Sequence, residues 1–192
     1  MVKYLLFDWG GVLSPGDVRY AAERLGPKYG INVNELAKVI AKYEKMSSCS
    51  SDYSTFLSGM ESDFGIKGDE MMRALVELPL SVNFELARRL SSKYEVVIAS
   101  NQMKFKTDYI QANYNLNFFR KLFFSSEIGC QKPGREFFDK VLMELGADAS
   151  DCIFIDDSLK NVEMAKSLGI QGIHLIKIDE LEKEFEKLGI IV

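Results

Sequence analysis

The chain has 192 residues, 47% of them hydrophobic and 27% charged, with a formal net charge of −4, which is enough to bury one good core and a small accessory one. A mildly acidic balance gives no general attraction to nucleic acid or to an anionic membrane, so neither is expected as a partner. The apolar run near the N-terminus is broken by Asp8 after a few residues, too short for a signal-peptide core or a membrane span, and a cytoplasmic protein is expected.

The first predicted element is a strand, Leu5-Leu6-Phe7, which ends in Asp8-Trp9-Gly10-Gly11-Val12-Leu13. Residues 15–81 then carry helical patterns, Val18 to Leu25, Val33 to Lys45, Ser54 to Phe64 and Asp69 to Val76, with no strand run among them. Ser14-Pro15-Gly16 and Leu78-Pro79-Leu80-Ser81 read as the linkers of this segment. From residue 82 onward short apolar runs alternate with amphipathic stretches: helix 83–93, strand 95–99, helix 105–115, strand 121–125, helix 134–146, strand 152–156, helix 159–168 and strand 172–176. Ile178 to Leu188 reads as an amphipathic helix and Ile190-Ile191-Val192 as an apolar tail, suited either to packing on the sheet or to a dimer contact.

Such a series predicts an α/β fold, a Rossmann-like parallel sheet with helices on both faces, and a small α-helical cap inserted after the first strand. The expected division is a core of residues 1–14 and 82–192 and a cap of 15–81. Parallel sheets place ligands beyond the carboxyl ends of their strands, and Asp8, Ser100 and Asp156 each stand at such an end. With Asp157 that makes three close acidic groups, which oppose one another's ionisation unless a divalent cation or a lysine neutralises them; hard carboxylate oxygens favour Mg²⁺.

The remaining chemistry-bearing residue types say less. Cys49, Cys130 and Cys152 are odd in number and form no Cys-x-x-Cys pair, which argues against a disulfide framework and a zinc site. His174, the sole histidine, lies in an apolar run and reads as a strand residue rather than a base.

Four elements in order, Phe7-Asp8-Trp9-Gly10-Gly11-Val12-Leu13, Val97-Ile98-Ala99-Ser100-Asn101, Gln131-Lys132-Pro133 and Ile155-Asp156-Asp157-Ser158 with Asn161 and Ala165, resemble the motifs of the haloacid dehalogenase superfamily of aspartyl-nucleophile phosphohydrolases. The match runs over nearly the whole chain, and the helical segment after the first motif resembles a C1-type cap. The resemblance implies that Asp8 attacks phosphorus to form an aspartyl-phosphate that water then hydrolyses. It implies Mg²⁺ held by Asp8, the carbonyl of Gly10, Asp156 and Asp157, with Asp157 the direct ligand and Asp156 acting directly or through water. Ser100 and Lys132 would act on the phosphoryl group, with Asn101 and the backbone around Gly10 and Gly11 also binding it. Asn161 would orient the acidic pair or lie on a helix surface.

The chain departs from the usual pattern at Gly10, where most phosphatases of the superfamily carry a second aspartate as general acid and base. The Asp-x-Gly-Gly-Val-Leu form resembles a branch that includes sugar-phosphate phosphatases. The expected function is therefore Mg²⁺-dependent hydrolysis of a small phosphorylated metabolite, a sugar phosphate among the possibilities, by a monomer or homodimer. Two other functions would use the same fold: a metal-independent haloacid dehalogenase, and a non-catalytic regulatory binding protein. Specificity is expected in the cap, where Arg19, Lys45 and the run Ser47 to Tyr53 are candidates, with Trp9 and Lys104 from the core; solvated faces, a loop and local packing are the plainer accounts of the same residues.

Overall fold

The computed structural model describes residues 2–50 and 52–191. Ser51 and Val192, one within the candidate run of the cap and the other in the apolar tail, lie outside the described residues. Five parallel strands, β1 (Tyr4–Phe7), β2 (Glu95–Ser100), β3 (Lys121–Phe124), β4 (Cys152–Asp156) and β5 (Gln171–His174), form one sheet in the order β3-β2-β1-β4-β5. The chain steps outward from β1 through β2 to β3, then crosses back to place β4 on the other side of β1. That reversal opens a crevice at the carboxyl ends of β1 and β4, where ligands of such sheets bind.

Every described strand residue of β1 is buried, because both sheet faces are covered. Leu5, Phe7, Ile98, Ile153 and Ile155 face one layer, built from α5 (Val82–Leu90), α6 (Lys104–Asn113) and α10 (Leu181–Lys187). Tyr4, Leu6, Val97, Ala99 and Phe154 face the other, built from α8 (Arg135–Leu145) and α9 (Leu159–Ser167). The tail packs on the first layer: Phe185 meets Phe7 edge-on at 6.2 Å and Ile190 is buried there, while Ile191 is exposed.

Between β1 and β2 lie α1 (Asp17–Tyr29), α2 (Val33–Ser47), α3 (Ser54–Phe64) and α4 (Gly68–Val76). Asn32 starts α2 by accepting from the N–H groups of Asn34 and Glu35 at 2.9 and 3.2 Å. The four helices bury their own core, Ala21, Leu25, Leu36, Ile40, Phe56, Met60, Met71 and Leu75, and share Met103 and Phe105 with the sheet domain. The two connections of this insertion run side by side: Ser81 N–H donates to Leu13 O at 2.9 Å, and the Ser81 hydroxyl to Val12 O at 2.6 Å.

The sequence pattern erred at edges. The last strand spans 171–174 rather than 172–176, and α5 ends at Leu90 rather than 93. A one-turn helix, α7 (Ser125–Ile128), follows β3 without a break and has no signal of its own.

Candidate active site

Asp8 leaves the sheet directly after β1, where its N–H still donates to Ile155 O at 2.9 Å. The chain then folds back on itself, with the N–H groups of Leu13 and Ser14 both donating to Trp9 O at 2.9 Å. Gly11 adopts a left-handed φ of 74° in this loop, and a Cβ built on it would lie 2.3 Å from the Asp157 Oδ2 atom. Glycine is required twice over, by the backbone and by the neighbouring carboxylate. Gly11→Ala is therefore expected to displace the Asp157 carboxylate and weaken divalent-metal binding by at least tenfold, readable by titration calorimetry; an unchanged affinity would disprove the contact's role.

Lys132 sits beneath Asp8, almost fully buried. Its ammonium donates to Ala99 O at 2.8 Å and to Asp156 Oδ2 at 2.6 Å, and lies 3.0 Å from Asp8 Oδ1. Three acceptors match its three N–H groups. Burial works against the charge, yet Asp156 and Asp8 together hold the Lys132 pKa above the ordinary lysine value. Asn101 fixes this lysine by its backbone: the side-chain amide donates to Lys132 O at 2.8 Å and accepts from Lys132 N–H at 2.9 Å. The Asn101 amide thus grips the lysine's own peptide, a partnership 31 residues away that the sequence could not disclose.

Asp156 is wholly buried and saturated. Its Oδ1 accepts from Ser158 N–H at 2.8 Å, both its oxygens lie 3.1 Å from Asn161 Nδ2, and Oδ2 meets Lys132. Asn161 accordingly orients the acidic pair rather than lying on a helix surface. Asp157 is instead the open member of the pair, and its pKa is raised by burial and by Asp156. Asp8 is pushed up to about 7, first by burial and then by Asp156 and Asp157, which outweigh Lys132 and the Ser100 hydroxyl. Asp8, Asp156 and Asp157 each offer an oxygen within 4.8 Å of the others. Three carboxylates against one lysine leave an excess of two negative charges when all are ionised, and the donor set is all hard oxygen. These residues fit a divalent cation.

Ser100 ends β2 beside Asp8, its Oγ 3.4 Å from Trp9 N and 3.2 Å from Gln102 Nε2. Gln102 was missed in the sequence; it is buried, and its Oε1 has no hydrogen-bond partner among the described residues. The Trp9 backbone belongs to the site, its N–H donating to Asp8 Oδ1 at 2.8 Å. Its indole does not. The ring is buried against Tyr114 at 5.4 Å and Phe84 at 6.1 Å, so the expectation that it faces substrate is corrected to core packing. Lys104 is likewise drawn off, paired with Asp108 on its own helix. Arg19 and Lys45 do line cavities next to the site, and Ser48 joins the insertion to the core through Gln131 Oε1 at 2.5 Å. His174 is a strand residue, its Nε2 3.0 Å from Asp157 O. The three cysteines are unpaired, and burial pushes the Cys152 thiol up to about 12.

An aspartate at the end of the central strand, a buried lysine beneath it and an acidic pair on the adjacent strand meet at the crevice of a parallel α/β sheet, an arrangement that fits a divalent cation. Residues 77–169 match the family described as haloacid dehalogenase-like hydrolase, a stretch that holds Ser100, Lys132, Asp156 and Asp157 but not Asp8. The solved structure of a haloacid dehalogenase family enzyme from Bacteroides thetaiotaomicron, a variant in complex with magnesium and inorganic phosphate, superimposes with a TM-score of 0.73 at 25% identity, covering 90% of this chain and 93% of that one. Just under half of the chain thus resembles the haloacid dehalogenase-like hydrolases in sequence, and the fold as a whole resembles that of a haloacid dehalogenase family enzyme.

Curated relatives match over shorter stretches. A sesquiterpene phosphatase of Aspergillus oryzae is 37% identical over 34% of this chain and 33% of its own length. Flavin mononucleotide hydrolase 1 of Arabidopsis thaliana is 41% identical over 36% of this chain and 29% of its own. The matched stretches span about a third or less of the curated relatives. Among the described residues no helix is long and apolar enough to cross a membrane.

Proposed function

We propose that this protein is a Mg²⁺-dependent phosphatase that hydrolyses a small phosphorylated metabolite through an aspartyl-phosphate on Asp8. The observation that carries the reading is Asp8 itself, open to a cavity on one side and flanked by Lys132, Asp156 and Asp157 on the other. The phosphatase and hydrolase activities named for the two curated relatives, and the magnesium and phosphate bound by the Bacteroides enzyme, support it. A polar cavity lining that includes Asp17, Asn101, Gln102 and Lys106 suits a hydroxyl-rich substrate, and a sugar phosphate is the class we favour.

Asp8, Asp157 and the carbonyl of Gly10 would hold the metal, with Asp156 behind them fixing Lys132. Bound there, Mg²⁺ would offset the repulsion between a carboxylate and a phosphoryl dianion. Lys132 holds a fixed positive charge at the phosphoryl oxygens, and the Ser100 hydroxyl with the Trp9 and Gly10 backbone can donate to them. The buried network around Asn101 and Asn161 keeps these groups from rearranging as charge moves. Residues 15–81 act as a C1-type cap over a core of 1–14 and 82–192, excluding water from the cleft, in a cytoplasmic protein of the Asp-x-Gly-Gly-Val-Leu branch that works as a monomer or homodimer on small molecules, with no nucleic acid or membrane partner.

Phosphate release from a panel of sugar, nucleotide, acyl and aryl phosphates, with and without Mg²⁺, tests this. Mg²⁺-dependent release is expected, strongest on sugar phosphates. Silence across the panel from folded protein would reject the phosphatase, and halide release without Mg²⁺ would replace it with a dehalogenase.

A further inference from the structure

Breaking a phosphate ester leaves an oxygen that needs a proton, and the loop beside Asp8 provides no group to give one. A Cβ built on Gly10 meets nothing within 4 Å, so the side-chain direction there is empty. Asp8, Gly10 and Asp157 share a cavity of about 330 Å³ with Asp17, Glu44 and Lys106, which come from α1, α2 and α6. Each carboxylate in this cavity can be assigned. Asp8 is the nucleophile and Asp157 belongs to the acidic cluster. Asp17 has both oxygens engaged, Oδ1 accepting from Val18 N–H at 2.7 Å and Oδ2 pairing with Lys106. Glu44 differs: Lys106 donates to its Oε1 at 2.8 Å, and its Oε2 accepts no hydrogen bond from any described residue.

We infer that Glu44, carried by the helical insertion, is the general acid and base of this site, doing from across the cavity what no side chain at Gly10 can do. The inference rests on the phosphatase reading. As Asp8 Oδ forms its bond to phosphorus and the ester P–O bond breaks, the electron pair stays on the leaving oxygen, which takes the proton of the Glu44 carboxyl. The Glu44 carboxylate then takes a proton from the water that attacks the aspartyl-phosphate. The bond between phosphorus and Asp8 breaks, freeing the Asp8 carboxylate and inorganic phosphate and leaving Glu44 protonated again.

Two further observations agree with this assignment. Glu44 also lines the adjoining cavity of about 280 Å³, whose wall includes Lys132 and Lys45, so it stands where the two spaces meet. The charged groups around it are Asp17 and Lys106, with Lys45 beside it in sequence and Arg19 held off by Glu23 at 2.6 Å. Burial, against Lys106 and with help from Asp17, pushes the Glu44 carboxyl from its ordinary 4.5 up to about 7, where an acid can both hold and yield a proton at neutral pH. Lys106, fixed by carboxylates from two helices of the insertion, is a positioning residue that sets where the Glu44 carboxyl points.

The test compares Glu44→Gln with the parent on p-nitrophenyl phosphate, whose leaving group needs little protonation, and on glycerol 3-phosphate, whose alkoxide needs it most. The kcat on glycerol 3-phosphate is expected to fall by about 10²-fold or more and on p-nitrophenyl phosphate by far less. The limb of the kcat against pH profile that reports the protonated acid should vanish with it. Adding Gly10→Asp to Glu44→Gln, into the space already open there, should restore turnover of the alkyl ester, a rescue that a merely structural role for Glu44 would not allow. Equal losses on both esters, or no loss, would overturn the inference while leaving the phosphatase standing. A parent protein silent on both esters and across the panel of phosphates would instead remove the phosphatase reading and this inference with it.

Discussion

Asp8→Asn is expected to lower kcat by roughly 10⁴-fold or more, the scale on which a covalent nucleophile is lost, with no loss of folding stability. The second half of that expectation follows from the electrostatics. The folded protein raises the Asp8 carboxyl from 3.8 to about 7, chiefly by burial. A carboxyl whose pKa rises on folding is most favourable to the folded state below its unfolded value, and that advantage disappears as pH climbs from about 4 through about 7. Above pH 7 the metal-free protein therefore carries an ionised Asp8 that opposes folding. The neutral asparagine removes this opposition while keeping the shape. At pH 8 without metal, the melting temperature of Asp8→Asn should equal or exceed that of the parent, and added Mg²⁺ should stabilise the parent more than the variant. Turnover retained by the variant would exclude an aspartyl-phosphate.

Lys132→Met is expected to damage the fold as much as the chemistry. The lysine is the only basic side chain paired with Asp8 and Asp156 among the described residues, and Asp156 has no access to solvent. Removing the ammonium leaves two buried carboxylates and the Ala99 carbonyl without their donor, a loss on the order of 3–5 kcal/mol when one half of a buried pair is deleted. Urea unfolding of the metal-free protein would read this as a lower midpoint at unchanged slope. Asp156→Asn in the same chain should recover part of the loss, because it removes one of the stranded charges; catalysis should not recover. A midpoint within about 0.5 kcal/mol of the parent, the scale of a surface substitution, would show that the pair contributes nothing to stability.

The parts of this molecule that local pattern describes were readable in the chain. Val96, Val97, Ile98 and Ala99 form a short apolar run closed by Ser100, and Ile153, Phe154 and Ile155 a second closed by Asp156; such runs have one structural meaning when helices flank them. The acidic site followed, since a polar residue at the end of a buried strand must lie at the sheet's edge. What pattern does not describe is partnership across distance. Lys106 looks like any helix-surface lysine, yet it is buried with Asp17, 89 residues away, and pairs with the half-buried Glu44, 62 residues away. Asn101 reads as a polar turn residue, and nothing nearby says that it holds the Lys132 peptide. Trp9 misleads in the opposite direction: its place beside Asp8 suggests substrate contact, but an indole that can be buried against Tyr114 and Phe84 is better stabilised there.

The neighbouring exit and return of the chain at Leu13 and Ser81 also bears on how the molecule can vary. A segment whose ends are already joined by hydrogen bonds closes its own loop before its length matters, and lengthening or shortening it changes the closure entropy only slowly. The sheet can therefore keep its registry while the material hung between these two points is exchanged. In this chain that material carries Asp17 and Glu44, so a swapped insertion would change the acidic lining of the cavity together with the shape of the cleft. If Glu44 supplies the proton as inferred above, the donor would be inherited with the segment that walls the cleft, and the two could diversify as a unit over an unaltered Asp8.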